Sequence, residues 1–165
     1  MLFRSAAPDG HTLLVHHIGM ATAPALYRKL SFDPLKDFEY VGLINEVAMT
    51  LLVKTGMPVK DVGELFPYLK QNSSKISLGN AGIGSASHLC GLLFMSAIAT
   101  DLVTVPYKGT APALADLMGG QVDMLCDQTT NTIPQIKSGK VRALAVTTPS
   151  RLADRKSTRL NSSHG

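Results

Sequence analysis

From residue 76 onward, short apolar runs alternate with stretches of helical period. "KISLGN" reads as a strand and "SASHLCGLLFMSAIA" as a helix. "LVTVPY" and "TAPALADLMG" repeat the pair, as do "VDMLCD" and "TIPQIKSG", and "VRALAVT" reads as a last strand. Strands alternating with helices of this length predict βαβ units and a mostly parallel sheet. The first part of the chain is less regular. "HTLLVHH" (11–17) reads as a short strand after the turn "PDG", and "APALYRKLSFDPLKDF" as a helical turn and a loop. Residues 40–54 read as two strands bent near Asn45 and Glu46. Val62, Leu65, Phe66 and Leu69 stand at helical spacing, with Pro67 predicting a kink or an early stop.

Composition is globular: of 165 residues, 45% are hydrophobic and 17% charged. No run approaches the roughly 18 apolar residues of a membrane span. The opening "MLFRSAAPDG" lacks the apolar centre of a secretory leader. Cys90 and Cys126 are too few for a disulfide framework and are expected to be two buried small hydrophobes. The net charge of +4 depends on the ends. "DRKSTRLNSSHG" (154–165) matches a reading frame of a common sequencing adapter, and residues 1–5 resemble the opposite adapter. Setting these aside removes Arg4, Arg155, Lys156, Arg159 and Asp154, leaving 12 bases against 11 acids. The basic signal disappears, and with it any nucleic-acid partner.

In such a sheet, ligands gather at the carboxyl ends of the strands. The three loops there are "GNAGIGSAS", "YKGTAP" and "DQTTNT". The first is neither a P-loop, nor a dinucleotide fingerprint, nor a nucleophile elbow. Ser85 and His88 lie one helical turn apart. Either Ser85 or Ser87 reads as the cap of the following helix, with His88 in its first turn, and the alternative is capping together with ligand contact. In the second loop, Gly109 permits an unusual backbone angle, Thr110 is a good cap and Pro112 suits a first turn. The helix start and Lys108 together favour a carboxylate, the plainer reading being a well-capped helix with a solvated lysine. Asp127 ends its strand beside Thr129, Thr130 and Asn131, which suit either ligand orientation or capping. The histidines have no metal-ligand spacing, so no metal and no cofactor are expected.

The blocks "APDGHTLL", "PALYRKLSFDPLKDF", "LGNAGIGSASHLCGLLF", "VPYKGTAPALADLMGGQVDML" and "IPQIKSGKVRALAVTTPSR" resemble the Bug family, in the family's order and spacing, from about residue 6 to 151. These are extracytoplasmic solute-binding proteins of tripartite tricarboxylate transporters. The resemblance implies an α/β, bilobal, type II periplasmic-binding-protein-like fold, here truncated at both ends. Residues 6–78 would be part of domain one and 79–153 most of domain two. It further implies a small carboxylate ligand, membrane permease subunits as partners, a periplasmic location and no enzymatic activity. The ligand-binding residues expected are Gly84, Ser85, His88, Tyr107, Lys108, Gly109, Thr110, Ala111 and Asp127. "HLCGLLF" lacks the family's usual glutamate, and Pro67 interrupts a helix normally continuous. Two other classes compete: an α/β enzyme acting on a small anion through Ser85, His88 and Lys108, and a regulatory effector domain.

Overall fold

The computed structural model describes residues 6–148; the adapter-like ends lie outside the described residues. The chain divides into two compact units, Met1–Glu46 and Val47–Gly165. In the first, helix α1 (Gly19–Leu26) is closed by the Tyr27 N–H on the Ala23 carbonyl at 3.0 Å. The expected strand over 11–17 is absent, as is the strand expected just after residue 40. Alternating apolar residues do not make a strand alone, because the backbone needs a partner for its N–H and C=O groups. Among the described residues none pairs with these segments, and Leu13, Val15, Val41 and Leu43 stay exposed.

The second unit is one five-stranded sheet, order β3-β2-β4-β1-β5, formed by β1 (Met49–Lys54), β2 (Ser77–Asn80), β3 (Val103–Pro106), β4 (Met124–Gln128) and β5 (Val141–Val146). β2 pairs parallel with β3 and β4, as the βαβ pattern predicts. β1 departs from it, pairing antiparallel with both β4 and β5. The sheet is therefore mixed, and β1 lies between β5 and β4, which do not pair with each other. β1 is followed by α2 (Val62–Asn72) but does not pair with β2, the strand to which that helix leads, so the crossover rule for neighbouring parallel strands does not set its direction. β1 and α2, which the sequence reading places in domain one, share this unit with the later strands.

Successive strand residues point to opposite faces, and both faces are covered. Leu51, Val53, Leu78 and Met124 pack with Leu65 and Leu69 of α2 and Met95 of α3 (Ala86–Ile98). Leu52, Leu125 and Val141 pack on the other face with Ala113, Leu114 and Leu117 of α4 (Thr110–Met118) and against Ile136 of α5 (Thr129–Lys137). No helix among the described residues is long and apolar enough to cross a membrane.

Two local expectations change. α2 does not stop at Pro67 but runs to Asn72. Pro67 and Gly63 are both exposed, so the carbonyl deprived of a partner faces water while buried Leu65 and Leu69 hold the helix. Cys90 and Cys126 are not separate thiols; they form a disulfide between α3 and β4, with Cα atoms 6.0 Å apart. Thirty-six residues separate them in sequence, and only the docking of α3 on the sheet brings them together.

Candidate site at the carboxyl ends of three parallel strands

β2, β3 and β4 run parallel, so the loops after Asn80, Pro106 and Gln128 open on one edge of the sheet. In the first loop Asn80 Oδ1 accepts from the Gly82 N–H at 3.0 Å, and Ser85 N donates to the Gly82 carbonyl at 3.1 Å. Gly82 has φ +119° and Gly84 φ +80°, the left-handed region where glycine is favoured. Ser85 caps α3: its Oγ accepts from His88 N at 3.1 Å. The His88 ring folds back on the loop, Nδ1 accepting from Gly84 N at 3.2 Å. That nitrogen is thus engaged with backbone and not with Ser85 Oγ, the contact a serine nucleophile requires of its base.

The second loop lies against the first. Tyr107 N donates to the Asn80 carbonyl at 2.9 Å, and Gly109 N to the Ala81 carbonyl at 3.1 Å. Gly109, at φ +113° and ψ 173°, is itself the N-cap of α4, and no side chain caps that helix. Thr110 does not cap, contrary to the sequence reading. It is the first helical residue, and its Oγ donates to Asp127 Oδ2 at 2.7 Å. Thr110 is half-buried, and Lys108 and Ala111 are exposed. The Tyr107 hydroxyl turns along α4 to donate to Asp116 Oδ2 at 2.7 Å. Burial first, then that hydrogen bond and the Asp116 charge, push its pKa up to about 12.

Asp127 is buried at the end of β4, its Oδ1 accepting from Gln128 N at 2.6 Å and Asn131 Nδ2 at 3.3 Å. Below it, Thr50 Oγ donates to the Asp127 carbonyl and meets Thr132 Oγ, both at 2.9 Å. The carboxylate thus lies inside the edge, tying α4 to the start of α5. Asp127 is buried and Tyr107 is turned to Asp116, so both support the loops, while Ser85 and Thr110 are partly exposed and Lys108 and Ala111 exposed.

Sequence reasoning missed three contributors. Thr50 and Thr132 lie 82 residues apart and meet only in the fold. Asn80 is 2% exposed, and its Nδ2 has no partner among the described residues. The pattern Asn-x-Gly after a strand was a legible signal for its turn. Among the described residues no three His, Cys, Asp or Glu side chains gather to hold a metal.

A family profile described as the tripartite tricarboxylate transporter family receptor matches residues 1–160. The chain belongs to this family. It is 48% identical over 147 residues to a UPF0065 protein of Agrobacterium vitis, covering 89% of this chain and 42% of that protein. Among solved structures, the periplasmic binding protein BugD is 51% identical with a TM-score of 0.80, over 90% of this chain and 50% of that one. MatC of Rhodopseudomonas palustris, solved with bound malate, is 40% identical with a TM-score of 0.79, over 91% of this chain and 51% of that one. The receptor-family segment therefore spans about half the length of the relatives it matches. Its α/β fold is that of periplasmic binding proteins, and family and neighbours alike are solute-binding proteins.

Proposed function

We propose that these loops hold a carboxylate of a small organic acid, as part of a periplasmic receptor that delivers it to the permease of a tripartite tricarboxylate transporter. The observation that carries this reading is the start of α4. Gly109 turns the chain into the helix without a side-chain cap, so the N–H groups of Thr110 and Ala111 are left for an outside acceptor. Lys108 adds positive charge beside them, and the Ser85 hydroxyl on the neighbouring loop can donate a further hydrogen bond. Gly84 and His88 shape that loop; Tyr107 and Asp127 anchor the two strand ends behind it. The bound malate of MatC is a ligand of this chemical kind. The disulfide supports the periplasmic location, because such bonds persist in oxidising compartments.

Calorimetric titration of the protein at its natural length with mono- and dicarboxylates tests the reading. Wild type is expected to bind at least one of them. Gly109→Val abolishes binding, because a β-branched residue resists the angle that aims the amides. Lys108→Ala weakens it and lessens its salt dependence. A folded Gly109→Val protein that bound every acid as tightly as wild type would remove this loop from the site.

A further inference from the structure

We infer that the Cys90–Cys126 disulfide is a redox clasp for the candidate site: the oxidised protein holds its ligand tightly, and reduction to two thiols lowers the affinity. The inference rests on the carboxylate reading of this edge. The sheet comes apart here. The ladder between β2 and β4 consists of Leu78–Met124 and Gly79–Leu125. Beyond it β2 continues beside β3 as far as Pro106, and β4 beside β1 as far as Gln128. Asn80 and Cys126 stand just past the last β2–β4 pair, and the buried Asn80 Nδ2 has no partner among the described residues. α3 leaves β2 toward one face of the sheet and α5 leaves β4 toward the other, the arrangement that opens a crevice between neighbouring strands.

What spans the gap differs on the two faces. Strand alternation turns Asp127 to the α4 face, where its carboxylate accepts from Thr110, and Cys126 to the α3 face. On that second face Ser87 gives one neutral hydrogen bond to the Cys126 carbonyl, and the disulfide gives a covalent tie. Cys90 belongs to α3, the helix that Ser85 caps, and Cys126 directly precedes Asp127. The bond therefore fixes the spacing between the Ser85 loop and the Asp127–Thr110 pair, the two walls that a bound carboxylate has to bridge. With the bond cut, the Ser87 hydrogen bond and the packing of α3 are left to set that spacing.

Reduction balances with a dithiol as the reductant. Cys90 is partly exposed and Cys126 buried, so a dithiol thiolate attacks the Cys90 sulfur and Cys126 leaves as the thiolate. The second thiol of the reagent closes on the mixed disulfide and releases Cys90. The reagent ends as a cyclic disulfide, and two electrons and two protons pass to the protein's sulfurs. Linkage makes the effect reciprocal: the factor by which the bond raises ligand affinity is the factor by which the ligand favours the bond over the thiols.

Calorimetric titration of the protein at its natural length with malate, butanedioate and glutamate tests this, oxidised and after reduction with dithiothreitol, at a temperature where circular dichroism shows the fold retained. Reduction is expected to weaken the acid bound best by about tenfold, an ordinary size for coupling between two sites. The same acid at saturation should shift the thiol–disulfide equilibrium in a glutathione buffer toward the disulfide by the same factor. Cys90→Ala/Cys126→Val replaces the bond with apolar packing; it should fold, bind as weakly as reduced wild type and no longer respond to dithiol, and it decides the matter where reduced wild type unfolds. Oxidised wild-type affinity in the folded reduced protein or in the folded double variant, or loss of the fold in both, would overturn the inference and leave the carboxylate reading standing. Failure of oxidised wild type to bind any of these acids would overturn both.

Discussion

Ser87 donates its hydroxyl proton to the carbonyl of Cys126 at 2.5 Å, and Cys126 is the residue whose sulfur is joined to Cys90. Both ties run between the first turns of α3 and the end of β4, directly behind the Ser85 loop and beside Asp127. Helix and strand are thus held twice at the point where the candidate site needs its two walls fixed.

Reduction should therefore destabilise the protein and loosen that edge first. Closing a loop of this length in the unfolded chain is worth about 3–4 kcal/mol. Denaturant unfolding with and without a dithiol reductant, and of the Cys90→Ser/Cys126→Ser double variant, measures it. Hydrogen exchange should quicken most at the start of α3. Equal stability of the reduced and oxidised protein would contradict a structural role for the bond.

Acid should weaken the opposite end of the sheet. Asp123 accepts from Lys54 Nζ at 2.6 Å and from Ser77 N and Oγ, each at 2.8 Å. Burial pushes its carboxyl up, but these hydrogen bonds and the Lys54 charge outweigh burial and hold it below its ordinary value. A carboxyl lowered by folding stabilises the protein above the unfolded value near about 4, and that stability is lost as pH falls through the folded value. Unfolding free energy should therefore decline below about pH 5, and part of the decline should vanish in Asp123→Asn. At neutral pH the same variant should cost about 1–3 kcal/mol, the range for a hydrogen-bonded charged group. An unchanged acid limb in Asp123→Asn would show that other groups carry it.

The two loop glycines should respond differently to alanine. At Gly109 an added Cβ meets nothing within 4 Å, so Gly109→Ala carries backbone strain alone, about 1–3 kcal/mol. At Gly82 the Cβ would also stand 3.1 Å from the carbonyl oxygen of Tyr107, a residue whose N–H is tied to the Asn80 carbonyl. Gly82→Ala should be the more destabilising in thermal unfolding, and should disturb binding through the second loop as well. Equal melting temperatures would mean that the loops give way at no cost.

The βαβ half of the chain was legible because its information is local. Apolar runs bounded by Gly, Pro and Ser placed β2 to β5 and α3 to α5. The unusual angle at Gly109 and a serine cap at 85 or 87 were readable for the same reason, since each depends on neighbours within a few residues; that Ser85 is the cap was decided by the fold, where Ser87 turns to the Cys126 carbonyl. The edge of the sheet that holds the candidate site follows directly from the parallel order of those strands.

What remained hidden depends on partners far away in sequence. The residues 11–17 carry a strand's alternation yet form none, since pairing is decided by another segment. β1 took an antiparallel place between β4 and β5, a choice of neighbours that no local pattern encodes. Thr110 looks like a cap by type, but Asp127, 17 residues on, claims its proton. Periodicity and turn chemistry thus determined the elements and the edge where their loops meet. Which side chains face one another across that edge was decided only when the sheet closed, because hydrogen-bond polarity and disulfide pairing are set by distances in space and not by spacing along the chain.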